Sequence, residues 1–474
     1  MRDAVVGIDS STQSCKVLVV DPATGEVLRS ASTAHPDGSR IDPRVWVTAL
    51  RKAWAEAAPG STERIVGVGL AAQQHGMVAL DAHDEPVHDA LLWNDTLSAE
   101  AARRMVAERG GRFWAEAVGS VPVASYTLTK LAWLAEHRPE DAARTVRVVL
   151  PHDYLNHALT GEYFTDRSDA SGTAYYSPRT GYLEDVLREY FGRVPELPEV
   201  LAPDGVGGRL LPEWGAGPAP VSAGAGDNAA AALGLGMRPG EVAVSIGTSG
   251  TVFRPVTQIP TPDASGAVAG FADAEGGYLP LIAVINAARV MASTAGLLGV
   301  GLPEFDALAS SGASDAGGLL MLPYFDGERT PNLPDATGSL VGVSRSSFSR
   351  ENMARASVLA VLNSLADAAD ALSAVSGPAE RYLLIGGGSK SRSLGAAAPE
   401  LFGAPVDVPV AGEYVALGAA RQAAWAASGE LPAWERRMAA SYEPSAREAG
   451  TASESWGAAV RRNYAQERRR LYGS

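Results

Sequence analysis

The sequence predicts an α/β protein made of two related halves, and three features carry that reading. The chain has 474 residues, about three times the ~150 residues usual for one domain, so two sizeable domains are expected. A hairpin-like segment occurs twice: Val5 to Asp21 reads VVGIDSSTQSCKVLVVD and Glu241 to Pro255 reads EVAVSIGTSGTVFRP. Each is a pair of β-branched runs around a loop of Gly, Ser and Thr. Strand-like and helix-like stretches alternate between and beyond them, as α/β architecture requires.

In chain order, the first hairpin is expected to turn at Asp9 to Ser14. Pro43 to Ala58 predicts a helix, and Ile65 to Leu70 a buried strand leading into Gln73-Gln74-His75-Gly76. Leu91-Leu92 leads into Trp93-Asn94-Asp95. The Pro- and Gly-rich tract from Pro195 to Pro220 is the most loop-like, yet a strand (Pro220 to Ala223), a turn (Gly224 to Gly226) and an Ala-rich helix (Asn228 to Leu235) follow it. The boundary is therefore set near Gly240, giving domains 1–240 and 241–474. In the second domain Arg350 to Val375 predicts a helix, and Tyr382 to Ile385 a strand running into Gly386-Gly387-Gly388-Ser389. The tail from about Glu454 to Tyr472 places five arginines among apolar residues, which predicts an amphipathic terminal helix packing back on the first domain.

Composition narrows the function classes. With 46% hydrophobic and 20% charged residues the chain is globular. Its charge of −14 without a basic run argues against nucleic acid as a partner. Cys15 is the single cysteine and makes no internal disulfide. MRDAVVGIDSS lacks an apolar core of signal-peptide length, and no run approaches the ~18 apolar residues of a membrane span, so a cytoplasmic protein without a membrane partner is expected.

Gly67-Val68-Gly69-Leu70-Ala71-Ala72 and Gly224-Ala225-Gly226-Asp227-Asn228-Ala229 fit the loose dinucleotide pattern GxGxxA, but neither opens a βαβ unit at the start of a domain. A Walker P-loop is excluded, because none of Lys16, Lys52, Lys130 and Lys390 follows a glycine. What remains for phosphate is the two hairpin loops, Asp9 to Ser14 and Gly247 to Thr251, whose small residues let backbone N–H groups approach an anion. Either is, taken alone, also an ordinary tight turn. Asp9 among hydroxyl residues suits a hydrated Mg²⁺, or a turn. Asp227 at a helix start suits a base that the helix dipole keeps ionised, or an N-cap. Gln74-His75 and Trp93-Asn94-Asp95 suit a polyhydroxyl ligand, and Gly386-Gly387 a flat adenosine lying on bare backbone; each is otherwise structural.

These segments, in this order, resemble the FGGY carbohydrate kinases from Val6 to about Ala424. Ser125, Thr127, Lys130, Leu131, Trp133, Leu134, Glu136 and His137 fit one family signature. Gly338, Leu340, Gly342, Val343, Asn352, Met353, Ala356, Ser357 and Val358 fit nearly all of a second. Gln74-His75-Gly76, Trp93-Asn94-Asp95, Gly226 to Ala229, Gly247 to Gly250 and Leu322 to Pro331 look like the branch that acts on xylulose; the branch acting on glycerol has Arg-Glu-Thr in place of Gln74-His75-Gly76. The resemblance implies two duplicated ribonuclease-H-like domains of actin/Hsp70 type with a cleft between them. It implies transfer of the γ-phosphoryl group of ATP to the 5-hydroxyl of D-xylulose. Asp227 matches the catalytic base and Asp9 the Mg²⁺-associated acid. Gln74, His75, Asp227 and Asn228 match sugar contacts, with Trp93, Asn94, Asp95 and Ser125 on the same side. Thr12, Gly247 and Thr248 match the phosphate loops, and Gly386, Gly387 and Ser391 fall where adenosine is held.

Three positions depart from the pattern. Ser11 stands where a glycine is common, Leu359 where the second signature ends in Asp, Glu or Gln, and Ser125 where relatives carry other side chains near the far end of the sugar. Other ketoses or polyols such as ribulose or glycerol stay open as acceptors. A sugar-binding regulator without catalysis is disfavoured because Asp9, Thr248 and Asp227 are all present; a homodimer stays open. A chaperone or filament ATPase of the same architecture is disfavoured by Asp227-Asn228 together with Gln74-His75.

Overall fold

The computed structural model describes residues 1–445 and 455–473, and the chain divides into two units. The first comprises residues 1–237, 255–279 and 412–435; the second comprises 238–254, 280–411 and 436–474. The first unit's long run ends at Met237, and two later segments of the chain also fall in it.

In the first unit Arg2–Ser10 and Ser14–Val20 form the expected hairpin, with Ile8 opposite Val17. Glu63–Ala72 runs parallel to the first strand, pairing Ile8 with Leu70 and Asp9 with Ala71. On the far side of this third strand lie Pro220–Ser222 and Ala225–Gly226, the latter pairing Gly226 with Ala72. Both sheet faces are covered, which explains strands that read as continuous apolar runs rather than alternating ones. Ala4, Val6, Ile8 and Val17 pack with Trp46, Leu50 and Trp54, the buried stripe of helix Arg44–Ala57. Val5, Leu18 and Val20 pack with Ala416, Ala420 and Ala423, of helix Tyr414–Ser428.

That second face also accounts for the glycines of the first dinucleotide-like motif. A Cβ on Gly67 or Gly69 would lie 2.6 or 2.1 Å from the carbonyl oxygens of Ala423 and Ala419. These glycines let an Ala-rich helix approach the sheet backbone.

The second unit repeats the plan. Glu241–Ile246 and Gly250–Phe253 form a hairpin, with Val244 opposite Val252, and Arg381–Ile385 lies parallel to the first of them, pairing Ser245 with Ile385. A hairpin followed by a parallel third strand thus occurs once per unit, the duplicated α/β arrangement expected from the sequence. Helix Arg350–Ser376 is long and apolar enough to cross a membrane, but most of it is buried as the core helix of this unit. Its start is set by Ser349, whose hydroxyl accepts from Asn352 N.

The terminal helix, Trp456–Tyr472, belongs to the second unit. Tyr464 is buried with Leu322 and Tyr324, and Arg461 and Arg468 each reach Asp367 at 2.6 Å. Two of the tail's five arginines are thereby spent on one carboxylate of the same unit. Glu454, where the tail was expected to begin, falls outside the described residues.

Candidate active site

Parallel strands end together, and the residues just past their ends meet. In the first unit the strand Glu63–Ala72 is flanked by Asp9-Ser10 on one side and Ala225-Gly226 on the other. Its exit, Gln73-Gln74-His75, therefore lies between Asp9 and Asp227. Asn228 ties the set together: its Nδ2 donates to Asp227 Oδ1 at 2.7 Å and to Gln74 Oε1 at 3.3 Å.

Asp227 is the first residue of helix Asp227–Leu235, with Gly226 as its N-cap, so the N-cap reading is set aside. The expectation that the helix dipole keeps Asp227 ionised is also revised. Burial, reinforced by the charge of Asp9, pushes its pKa up to about 7, against the two bonds from Asn228. Asp9 is only 3% exposed; burial raises its pKa to about 6, while a 2.7 Å bond from Ser11 Oγ and Lys16 at 4.0 Å oppose the rise. The departure at Ser11 thus has a role, since its hydroxyl supports the Asp9 carboxylate.

His75 is 8% exposed and adopts φ of 67°, left-handed and unusual for a residue with a side chain. Its ring packs against Tyr126 and Phe271, with centroids 5.1 and 5.2 Å away. Thr12 is reached by Trp93, whose Nε1 donates to its hydroxyl at 2.8 Å. Trp93 and Asn94 are exposed. Asp95 is buried, and its carboxylate receives Ser39 Oγ at 2.8 Å, Arg40 Nε at 3.1 Å and Leu97 N at 2.8 Å. Ser125 lies on the turn before helix Thr127–His137, and its carbonyl accepts from Lys130.

In the second unit the loop Gly247 to Ser249 follows the strand ending at Ile246, and Gly386 to Gly388 follows the adjacent parallel strand. Thr248 and Ser249 are exposed. Gly247 N donates to Ser249 O at 2.9 Å, closing the loop. Gly386 has φ of 81°, and a Cβ there would meet the Ile246 carbonyl at 2.8 Å; around Gly387 there is open space. Ser391 caps helix Arg392–Phe402, and its hydroxyl donates to Asp306 at 2.6 Å, so its side chain is engaged in holding the helix start. Gly250 is buried, its Cβ position 3.0 Å from Leu365 and Val284; it packs inside the strand.

The sequence matches known proteins along most of its length. Residues 4–234 match the N-terminal domain, and residues 242–427 the C-terminal domain, of the FGGY family of carbohydrate kinases. The chain belongs to that family. It is 45% identical over 440 residues to the xylulose kinase of Streptomyces rubiginosus, covering 90% of this chain and 89% of the relative. The xylulose kinase of Streptomyces coelicolor is 46% identical over 437 residues, covering 90% and 88%. Among solved structures, the xylulose kinase of Bifidobacterium adolescentis superposes with a TM-score of 0.88 at 39% identity, over 98% of this chain and 99% of that one.

Several residues around the sites of this FGGY kinase escaped sequence reasoning. Lys130, quoted only as part of a signature, is buried, and its pKa falls to about 7 for that reason; it holds the turn at Ala124 and Ser125. Arg289 reaches Asp326 at 2.7 Å and the Thr248 carbonyl at 3.3 Å. Glu328, inside the motif Leu322 to Pro331, is buried and accepts from Ile285 N at 2.7 Å and Asn286 Nδ2 at 3.0 Å, so that part of the motif is an internal clamp. Asp166, Ser168 and Asp169 lie behind Gln74 and His75; no periodicity or composition marks them, because their role depends on three chain segments meeting.

Proposed function

We propose that this kinase transfers the γ-phosphoryl group of ATP to the 5-hydroxyl of D-xylulose, giving D-xylulose 5-phosphate and ADP, with Asp227 as the general base. The observation that carries the reading is Asn228, which links the carboxylate of Asp227 to the Gln74 amide on the wall assigned to the sugar. A carboxylate with a pKa of about 7 is matched to accepting an alcohol proton near neutral pH. The proton of the 5-hydroxyl passes to Asp227 as the oxygen bonds to the γ-phosphorus and the bond to ADP breaks. Gln74, His75 and Asn228 orient the sugar, with Trp93, Asn94 and Ser125 towards its other end, while Asp95 holds Arg40 and the Trp93 turn. Thr12, Gly247 and Thr248 receive phosphate oxygens, and Gly386, Gly387 and the Ser391 turn receive adenosine. Asp9 with the Ser11 hydroxyl is a hard oxygen donor set of the kind Mg²⁺ takes, and the ion bound there would neutralise phosphate charge. The relatives named xylulose kinase support the choice of sugar.

The test is ATP consumption measured against D-xylulose, D-ribulose, hexuloses, glycerol and polyols, with and without Mg²⁺. The expected result is the highest kcat/KM for D-xylulose. A higher value for another acceptor would reassign the substrate, and ATP turnover with none would leave a sugar-binding regulator.

A further inference from the structure

Behind the sugar wall of the first unit lies a buried turn, formed where strand Phe164–Asp166 enters the short helix Arg167–Ala170. Asp166 Oδ1 closes it, accepting from Ser168 N at 2.6 Å, from Asp169 N at 3.1 Å and from Ser168 Oγ. Three bonds tie this turn to segments carrying residues assigned to the sugar. Asp169 Oδ1 accepts from His75 N at 3.3 Å. The Ser168 carbonyl accepts from Gln74 Nε2 at 3.4 Å. Ser168 Oγ accepts from Gly226 N, the residue before Asp227, at 2.9 Å.

Two clearances fit the same design. A Cβ on Gly172 would sit 1.9 Å from Nδ1 and Cε1 of His75, and one on Gly226 would sit 2.5 Å from Gln74 Nε2. The left-handed backbone of His75 is costly for a residue with a side chain, and persists only where its surroundings hold it. Asp169 grips its N–H, and Thr127 Oγ1 donates to its carbonyl at 3.2 Å.

We propose that Ser168 and Asp169 are positioning residues of the sugar site: Asp169 sets the backbone of His75, and Ser168 sets Gly226 and through it the catalytic base Asp227. This rests on the assignment of Gln74, His75 and Asp227 given above. A cation in the same place is the competing use, since ligand atoms of His152, Asp166 and Asp169 lie within 4.8 Å of one another. The ring of His152 does not suit it. Nδ1 lies 3.0 Å from Asp153 Oδ1, and the other side of the ring meets Asn156 at 3.1 Å and the Ala223 carbonyl. With both ring nitrogens engaged there is no lone pair for a metal, and the ring serves as a buried donor beside Asp166, 4.0 Å away.

The test is steady-state kinetics in both substrates, with melting temperature, on Asp169→Ala, Asp169→Asn, Ser168→Ala and Gly172→Ala. Asp169→Ala is expected to raise KM for D-xylulose about tenfold, the worth of one hydrogen bond, with kcat nearly unchanged. Asp169→Asn keeps an oxygen for His75 N and should restore most of that loss. Ser168→Ala is expected to lower kcat by about 10- to 100-fold, the effect of a misplaced catalytic group, while KM for D-xylulose holds because the carbonyl receiving Gln74 survives. KM for ATP should not move in any of them. Gly172→Ala displaces the His75 ring without removing a bond and should reproduce the sugar KM rise, which keeps the question open to decision if Asp169→Ala fails to fold. Wild-type constants in the folded variants, an Asn variant no better than Ala, or a parallel loss for sugar and ATP would overturn the proposal. If the wild type prefers another sugar, the substrate assignment fails on the wild type alone, and the variant comparisons are then made with that sugar.

Discussion

At neutral pH Asp227 is poised between its two protonation states, because burial and the neighbouring Asp9 outweigh the bonds from Asn228. Only the ionised form accepts a proton, so kcat/KM for the sugar should climb as pH rises through about 7 and level off above it. Asp227→Asn is expected to lose the rise and to lower turnover by roughly 10²–10⁴-fold. The sign for stability is opposite. The folded-state pKa lies above the ordinary carboxylate value of 3.8, so ionising Asp227 costs the folded chain stability as pH climbs between those two values. The Asn variant should therefore melt at a higher temperature than the wild type near pH ~8, with the difference shrinking towards pH ~4; wild-type turnover in a folded Asn variant would remove Asp227 from the chemistry. His75→Ala should weaken sugar binding by about 0.5–1.5 kcal/mol, one hydrogen bond to a neutral hydroxyl, and spare ATP. Calorimetry showing equal loss of both ligands would make His75 a structural residue.

Between elements, glycines do two different jobs that the sequence does not distinguish. Gly69 lets the helix Tyr414–Ser428 lie on the sheet, and a Cβ there would come 2.1 Å from the Ala419 carbonyl. Gly69→Ala should thus cost about 1–3 kcal/mol by overpacking, read as a lower denaturant midpoint with little change in m-value. In the second hairpin the contrast is between Thr248, exposed on the loop, and Gly250, buried against Leu365 and Val284. Thr248→Val should raise KM for ATP and leave stability and D-xylulose binding unchanged. Gly250→Val should destabilise the unit, because a β-branched side chain has no room in that strand; a folded Gly250→Val protein of normal stability with an ATP defect alone would return Gly250 to the phosphate loop.

Across the whole molecule, each unit has its own sheet with its own helices, and two cores of this kind need not unfold as one. On the proposed assignment, Gln74, His75 and Asn228 lie in the first unit while Gly247, Thr248 and the Gly386 turn lie in the second, so D-xylulose should raise mainly the unfolding temperature of the first and a non-hydrolysable ATP analogue mainly that of the second. Calorimetry, with hydrogen exchange to assign each transition, checks this; protection by D-xylulose confined to residues 280–411 would reverse the assignment of the units.

How much of this was legible in the chain follows from how local each signal is. Hairpins, the strand Glu63–Ala72 and the helix Arg350–Ser376 are written in β-branched runs and long apolar stretches, and short-range propensity decides them. The duplication was visible for the same reason, since both copies of the hairpin are contiguous. Asp9, Gln74, His75 and Asp227 were found as strand-end and helix-start residues, and motif resemblance named their roles. Their arrangement was not legible: only pairing of Ala71 with Asp9 and of Ala72 with Gly226 places Asp9 and Asp227 on either side of Gln74 and His75. The pKa of Asp227 depends on burial and on a charge more than 200 positions away in the chain, which no local reading contains. Nor does any pattern show that Ser391 is spent on Asp306, that Asp95 serves Arg40, or that Ser168 and Asp169 stand behind Gln74 and His75. The sequence by itself determined the elements, the two-fold repeat and the chemical types at the site; tertiary structure decided which carboxylates share a charge environment and which glycines serve packing, because those properties belong to distances between segments and not to the segments.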